Sequence, residues 1–314
     1  MGISADGDIH ESLKMFAAKW HQVGVISDKL HLPVAGGMNR SSCLLAWRGR
    51  PMRIPTILSR HWPLVPATGV LESLLHLPVV DLSVLTRSRP VLVLAPHPDD
   101  ECLGCGGLIA QCCERRRNIH VLVLTDGAGS HPRSASYPPS RLVALRQAET
   151  IAAMAKLGLP AERVAFLGLP DGRAPRVGGR FKDAARRIAD MAQRFSVATI
   201  CTTWVHDPHR DHVAAYRLGV SAAKAVGARL LSYPIWGWTL GERNRLPRTR
   251  IHGMRLDVSG HIAAKRAAIA CYRSQVSDLI DDDASGFRLA PEFLALFERP
   301  FEVFVEEPIG IRNL

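Results

Sequence analysis

The chain has 314 residues, of which 47% are hydrophobic and 22% charged, proportions that exclude a largely disordered protein. No run approaches the ~20 apolar residues of a membrane-spanning helix, and the N terminus lacks the apolar core of a secretory signal. We therefore expect no membrane span and a cytoplasmic location. The net charge of +11 comes almost entirely from arginines spread along the chain, so we expect no nucleic-acid partner, although this excess favours an anionic small molecule.

Residues 1–88 lack the regular pattern of the rest of the chain. The apolar spacing favours one amphipathic helix over residues 8–23, and the prolines and glycines that follow break any long element. We therefore predict an irregular N-terminal extension over residues 1–88 and a folded domain over residues 89–314.

From residue 90 onward, short apolar runs alternate with helical patterns. Strands are predicted at residues 91–95, 119–124, 164–167, 198–202 and 229–232, and helices near residues 104–116, 140–157, 181–194, 212–226 and 260–276. This alternation is typical of right-handed βαβ units. The predicted fold class is α/β, with a Rossmann-like, doubly wound, mostly parallel sheet. The three aspartates at residues 281–283 are predicted to form a solvated loop.

Two polar clusters directly follow predicted strands. Residues 96–101 read Pro-His-Pro-Asp-Asp-Glu after the first strand, and residues 206–212 read His-Asp-Pro-His-Arg-Asp-His after the fourth. Because ligands of open α/β sheets bind beyond the carboxyl ends of the strands, we expect both clusters to face one crevice. Three nitrogen or oxygen ligands with an open fourth position suit a catalytic zinc ion. The placement therefore predicts a metal site.

Each cluster taken alone also has a structural explanation. Asp99 or Asp100 alone is most often a helix N-cap, and His209 and His212 alone are more often surface or core histidines than ligands. Their conjunction at two strand ends favours metal binding. A dinucleotide site is not favoured, because residues 104–107 read Gly-Cys-Gly-Gly and lack the Gly-x-Gly-x-x-Gly spacing.

The two clusters resemble the motifs of the PIG-L/LmbE family of zinc-dependent N-acetylglucosaminyl deacetylases. Residues 97–101 match its His-Pro-Asp-Asp-Glu signature, and residues 209–212 match its His-x-Asp-His element. Further similarities lie at Arg146, Glu149, residues 166–172, Lys265 and residues 274–275. The resemblance covers roughly residues 90–280.

The resemblance implies one zinc ion per chain, with His97, Asp100 and His212 as its ligands. Other divalent metals would also suit two histidines and one aspartate. Zinc lowers the pKa of water toward ~7, so a neighbouring carboxylate can remove the proton. The family match assigns that role of general base to Asp99.

Further roles follow from the second motif and from neighbouring positions. The resemblance implies that His209 stabilises the oxyanion or assists protonation of the amine, and that Asp211 orients a histidine. Arg146, Asp126 and Asp207 are predicted substrate contacts. Arg146 also has the spacing of a helical ion pair with the residue three positions on, which leaves its role open.

Together these features imply a metal-dependent hydrolase that removes an acetyl or other acyl group from the amide nitrogen of an N-acylated amino sugar conjugate. The conjugate is a small molecule, and the arginine excess favours an anionic one. An amidase acting on a larger amide would use the same zinc site. A non-catalytic Rossmann-like binding protein is an alternative from another class, and stoichiometric zinc would argue against it. The sequence leaves the oligomeric state open.

Overall fold

The computed structural model describes residues 63–248 and 250–308, which form ten strands and nine α-helices. The strands are β1 Leu64–Pro66, β2 Val79–Val80, β3 Val91–Ala95, β4 Ile119–Thr125, β5 Val164–Leu169, β6 Thr199–Thr203, β7 Arg229–Tyr233, β8 Arg245–Pro247, β9 Gly253–Asp257 and β10 Phe301–Glu306. The helices are α1 Ala67–Leu75, α2 Leu82–Thr86, α3 Asp100–Glu114, α4 Pro139–Lys156, α5 Gly178–Arg194, α6 Arg210–Val226, α7 Ile262–Ile269, α8 Arg273–Val276 and α9 Pro291–Leu294.

Eight of these strands form one sheet in the order β2-β9-β10-β7-β6-β3-β4-β5. The five strands from β7 to β5 are parallel, as predicted, and β10 runs antiparallel to β7 and β9. Strands β1 and β8 form a separate antiparallel pair. The predicted α/β class with a mostly parallel sheet is therefore confirmed.

The central strands are buried on both faces, which explains their unbroken apolar sequences. Every residue of β3 and β4 is buried. Because side chains alternate across a sheet, Val91, Val93 and Ala95 join the hydrophobic cluster on one face, whereas Leu92 and Leu94 join the cluster on the other. Two helical layers thus enclose the sheet and hold the strand ends in place.

Helix α3 packs unusually close to the sheet because of its glycines. A Cβ atom at Gly104 would overlap the ring of Tyr233 on β7, and one at Gly107 would overlap Val258. The Tyr233 ring is fully buried, and its hydroxyl donates to the Leu94 carbonyl at 2.8 Å. Small residues here fix the depth at which the start of α3 meets the sheet.

The N-terminal segment differs from the predicted irregular extension where the structure describes it. Residues 64–86 form β1, α1, β2 and α2, and β2 pairs in parallel with β9 at the edge of the main sheet. Leu71 and Leu74 of α1 are buried in the core. Prolines stand at the ends of these short elements rather than inside them, so they separate elements instead of preventing them. The helix predicted over residues 8–23 lies outside the described residues.

The C-terminal third departs from the simple alternation of strands and helices. The antiparallel strands β8, β9 and β10 were not predicted, because they lie outside the regular alternation of strands and helices. The helix predicted over residues 260–276 is divided into α7 and α8, and the buried Tyr272 lies between them. Within the two described segments, no helix is long and apolar enough to cross a membrane.

Candidate active site

The two polar clusters meet at the carboxyl ends of neighbouring strands. Strand β3 leads into His97, β6 leads toward His212, and the two strands are paired in the sheet. The ring centroid of His97 lies 4.6 Å from that of His209 and 5.4 Å from that of His212. The expectation of one shared crevice at this edge of the sheet is therefore met.

The turn into α3 places Asp99 in a strained conformation. Asp99 has a φ of 132° and a ψ of −33°, values that side-chain-bearing residues rarely adopt. The buried Glu101 braces this turn, because its Oε2 accepts the Asp99 N–H at 3.2 Å and its Oε1 accepts the Tyr272 hydroxyl. Glu101 thus has a structural role in this turn.

Asp100 lies between two histidines. Its Oδ2 is 3.1 Å from His97 Nδ1 and 3.3 Å from His212 Nε2, and it also accepts the His97 backbone N–H at 3.0 Å. Burial disfavours the charged carboxylate, but contact with His212 and His97 outweighs burial and lowers the pKa of Asp100. An ionised carboxylate therefore joins the two rings.

Asp207 orients the second histidine. Its Oδ2 lies 2.8 Å from His212 Nδ1, and the carboxylate also accepts the backbone N–H groups of Ile235, Trp236 and Gly237. Asp207 is completely buried. Both carboxylate oxygens thus have protein partners, and contact of Asp207 with substrate stays a prediction. Its contact with His212 leaves Nε2 of that histidine directed at Asp100.

The two separations that join Asp100 to the histidines match those between ligands of one tetrahedral cation. Metal bonds of about 2.0–2.2 Å at tetrahedral angles separate the ligand atoms by about 3.3 Å, close to the 3.1 and 3.3 Å that join Asp100 to the two histidines. His212 Nε2 is buried without a hydrogen-bond partner, as a ligand nitrogen would be. The predicted set of His97, Asp100 and His212 thus fits a divalent cation.

Two other trios of ligand atoms lie within 4.8 Å of one another, and one of them is His97 with Asp171 and Asp211. The other trio fits a cation less well than the predicted set. His97, His209 and His212 offer nitrogens that lie within 4.8 Å of one another. However, His209 Nδ1 accepts the Asp211 backbone N–H at 3.2 Å, so the proton of the neutral ring is on Nε2. A protonated nitrogen cannot bind a metal. His209 is therefore a hydrogen-bond donor in this arrangement.

Burial keeps the His209 ring neutral. Desolvation, assisted by the neighbouring His97 and His212, lowers the pKa of His209 to about 3. The residue as a whole is half-buried. A neutral imidazole that donates from Nε2 suits the oxyanion role predicted for His209.

Asp99 is paired with Arg146. Arg146 Nη2 donates to Asp99 Oδ2 at 3.1 Å and to the Pro98 carbonyl, and the arginine is only 2% exposed. Burial raises the pKa of the Asp99 carboxyl, and the Arg146 charge opposes this rise. The alternative helical pair with Glu149 does not form, because that carboxylate binds the backbone N–H and hydroxyl of Ser274. Contact of Arg146 with substrate stays a prediction.

Two carboxylates face the far side of the His97 ring. His97 Nε2 lies 3.3 Å from Asp171 Oδ1 and 3.4 Å from Asp211 Oδ2. Asp211 is itself held by the backbone N–H groups of Gly172 and Ala174. This geometry suits the predicted role of Asp211 in orienting a histidine, and it identifies that histidine as His97.

Asp171 was not among the predicted site residues. It follows β5, and its Oδ2 accepts the Gly129 N–H at 2.9 Å. The sequence signal was its position after the third predicted strand, at the same edge of the sheet. Asp126, a predicted substrate contact, is half-buried and its Oδ1 accepts the Ala128 and Asp171 N–H groups. Asp126 therefore fixes the loops around the crevice, and its contact with substrate stays a prediction.

The surrounding carboxylates favour positive charge in the crevice. Burial opposes a charged His212 ring, yet Asp100 and Asp207 outweigh burial and raise its pKa to about 9. The pKa of His97 is also raised, because Asp100, Asp171 and Asp211 overcome the cost of its burial. The same electrostatic field would stabilise a divalent cation.

Comparison with known proteins gives the same assignment as the motifs. Residues 92–223 match the family model PIG-L, described as GlcNAc-PI de-N-acetylase. The 1D-myo-inositol 2-acetamido-2-deoxy-alpha-D-glucopyranoside deacetylase of Mycolicibacterium vanbaalenii is 27% identical over 262 residues, covering 68% of this chain and 89% of that protein. The protein of the same name from Kineococcus radiotolerans is 33% identical over 175 residues, covering 46% of this chain and 47% of the other.

A similar fold occurs among solved structures. The N,N'-diacetylchitobiose deacetylase from Pyrococcus horikoshii has a TM-score of 0.53 and 18% sequence identity, covering 70% of this chain and 84% of that one. At this identity the likeness concerns the fold alone. The family model and the curated relatives confirm the resemblance that the two motifs predicted. Residues 92–223, which contain both motifs, are thus similar to the PIG-L family model.

Proposed function

We propose that this protein is a zinc-dependent hydrolase that removes an acetyl or related acyl group from the amide nitrogen of an amino sugar conjugate. The observation that carries the proposal is the position of Asp100 between His97 and His212, directly beside the buried Asp99–Arg146 pair. A cation site next to a carboxylate base is the arrangement that amide hydrolysis by water requires.

His97, Asp100 and His212 would hold the cation, which when bound would supply Lewis-acid polarisation of the amide carbonyl and of water. Asp99 takes a proton from the attacking water as the oxygen joins the carbonyl carbon. It then passes that proton to the nitrogen as the C–N bond breaks, giving an amine and a carboxylate. A pKa raised by burial suits both steps, because the carboxyl can accept a proton and release it again.

His209 stabilises the oxyanion that forms during the attack. Its Nδ1 is occupied by the Asp211 N–H, so the ring donates only from Nε2. Such a fixed donor is most effective where solvent is excluded. Arg146 acts on the reaction through Asp99, by holding its carboxylate in place.

The proposed substrate class follows from the relatives. The curated relatives are named as deacetylases of an inositol-linked acetamido sugar, and the solved structure as a deacetylase of diacetylchitobiose. We infer for this chain an N-acetylated amino sugar joined to a second group. Three exposed arginines lie at the site's edge of the sheet. Arg133 and Arg173 stand on the loops after β4 and β5, and Arg210 is the first residue of α6 after β6. They support an anionic second group.

The test is amine release from a panel of N-acetylglucosamine conjugates, measured with fluorescamine, with metal content determined on the same sample. The panel contains the free sugar, chitobiose, and sugars linked to UDP, inositol and malate. We expect release from at least one conjugate in proportion to bound zinc. The proposal would be overturned if the protein held no zinc and released amine from no member of the panel.

The charge of the substrate is tested separately by ionic strength. If the exposed arginines attract an anionic group, KM for the UDP- and malate-linked sugars should rise with salt, because exposed charges are screened within about 10 Å at 0.1 M salt. KM for chitobiose serves as the neutral control and should change little. Equal salt dependence for charged and neutral conjugates would contradict an anionic preference.

A further inference from the structure

An exposed aromatic side chain stands on the loop before α9. Phe287 is 37% exposed, and the other exposed large hydrophobic residues in the described parts of the chain are aliphatic: Leu64, Val79, Val84 and Val177. A single exposed apolar residue is ordinary on a protein surface. Phe287, however, packs beside other aromatic rings.

Phe287 is the outer member of a row of aromatic rings. Its centroid lies 5.8 Å from that of the half-buried Trp236, in an edge-to-face arrangement. Trp236 in turn stacks on Phe293, with centroids 4.2 Å apart and planes inclined by 19°. Phe293 is 2% exposed, so it anchors the row in the core. Trp236 and Phe287, which we call the aromatic pair, thus present rigid ring surface at the protein surface.

Trp236 is tied to the histidine on one side of the crevice. Its backbone N–H donates to Asp207 Oδ2 at 3.2 Å, and the same oxygen lies 2.8 Å from His212 Nδ1. One carboxylate therefore separates the Trp236 backbone from a residue of the proposed cation site.

Phe287 is tied to the opposite side of the crevice. Its N–H donates to the Ser130 carbonyl at 2.7 Å, and the adjacent Gly129 N–H donates to Asp171 Oδ2 at 2.9 Å. Asp171 Oδ1 lies 3.3 Å from His97 Nε2. The aromatic pair is thus connected to both histidines of the cation site and joins the two loops that flank the crevice.

We propose that the aromatic pair is the subsite for the group joined to the amino sugar, and that it prefers a group carrying a flat ring. Aromatic side chains bind ring faces through stacking and edge-to-face contacts, and they lose little conformational freedom in doing so. The proposal rests on the proposed function, because it takes the crevice to be the place where the amino sugar is deacetylated. The aromatic pair selects substrate and takes no part in the chemical steps.

The experiment compares deacetylation of phenyl and methyl glycosides of N-acetylglucosamine, in both anomeric forms, by the full-length zinc-loaded protein. We expect kcat/KM to favour the phenyl glycoside. Phe287→Ala should reduce this preference about fivefold, mainly through KM, because an aromatic contact contributes about 0.5–1.5 kcal/mol. Phe287→Trp should restore the preference.

Val177→Ala is the matched control, because Val177 is 74% exposed and lies on the loop before α5. This variant should keep the preference of the parent protein. A parent that does not discriminate between the glycosides would overturn the subsite. So would a Phe287→Ala variant with an unchanged preference.

A binding measurement separates this proposal from the proposed function. Phenyl and methyl glucosaminides, the expected products, are titrated calorimetrically into Asp99→Asn protein with and without Phe287→Ala. Tighter binding of the phenyl compound, lost with Phe287→Ala, would support the subsite even if no conjugate were deacetylated. Equal binding of both compounds would overturn the subsite even if deacetylation were observed.

Discussion

At the scale of single residues, the site depends on side chains whose positions are set by a second protein group. Asp99 is restrained through its carboxylate by Arg146 and through its backbone by Glu101. His212 is restrained by Asp207. Metal binding and proton transfer thus depend on different side chains. Substitution of single residues should therefore affect one of these properties without the other.

Asp99→Asn should abolish most turnover while metal binding is kept. The amide cannot accept the proton of the attacking water, and general acid–base catalysis contributes about 10²–10⁴-fold to rates. We expect kcat to fall within that range with one zinc ion per chain retained, measured by amine release and metal analysis. The matched control is Asp183→Asn, since Asp183 is an exposed aspartate on α5. A rate within a few-fold of the parent would contradict the assignment of Asp99 as general base.

Asp207→Asn should weaken metal binding rather than proton transfer. An asparagine cannot accept the His212 Nδ1 proton and all three backbone N–H groups as the carboxylate does. Loss of a partner that orients a ligand histidine typically costs about 10–100-fold in metal affinity. Competition with a zinc chelator measures this loss. If Asp207 instead contacted substrate, KM would rise at saturating zinc while zinc affinity stayed that of the parent.

At the scale of elements, helix α3 connects the core to the site. It begins at Asp100 and carries Gly104 one turn later, against the buried ring of Tyr233. Its position is further fixed by Glu302 on β10, which accepts the Gly107 and Leu108 N–H groups and pairs with the buried Lys265 at 2.7 Å. A shift of α3 would therefore displace Asp99 and Asp100 together.

Gly104→Ala should destabilise the protein although alanine is the better helix former. The new methyl group would overlap Tyr233, and overpacking a core typically costs about 1–3 kcal/mol. Gly69→Ala is the matched control, because Gly69 also lies within a helix and has open space around it. That change should stabilise the protein by up to about 1 kcal/mol. Denaturant unfolding of both variants measures the change in the free energy of unfolding, which should fall for Gly104→Ala and rise for Gly69→Ala. Equal changes in both variants would contradict the close packing of α3.

At the scale of the whole molecule, the parallel half of the sheet was predictable and the antiparallel half was not. Strand β3 was predicted with the bounds that the structure shows, because a strand buried on both faces has an uninterrupted apolar sequence. Strand β9 has alternating burial and β2 has only two residues, so neither has such a signal. The place of β9 depends on pairing with β10, and that of β2 on pairing with β9, which is distant from it in the sequence.

The site shows the same division between local and distant contacts. The run from His97 to Glu101 is contiguous, so its motif predicted two of the three proposed cation ligands and the proposed base together. Asp171 was missed because its contact with His97 forms only when the loops after β3 and β5 meet. The contact of Asp207 with His212 was not predicted, for a related reason. Its proximity to His212 in the sequence did not reveal the turn at residues 235–237 that surrounds its carboxylate.

We propose that amide hydrolysis by this chain depends on a cation held by His97, Asp100 and His212. The most direct test is to strip the protein of metal with a chelator and to titrate zinc back while amine release and bound zinc are followed together. We predict that activity rises in proportion to bound zinc and saturates at one ion per chain, and that His212→Ala neither retains zinc nor regains activity. Activity that survives complete removal of metal, or full activity in His212→Ala, would contradict the claim.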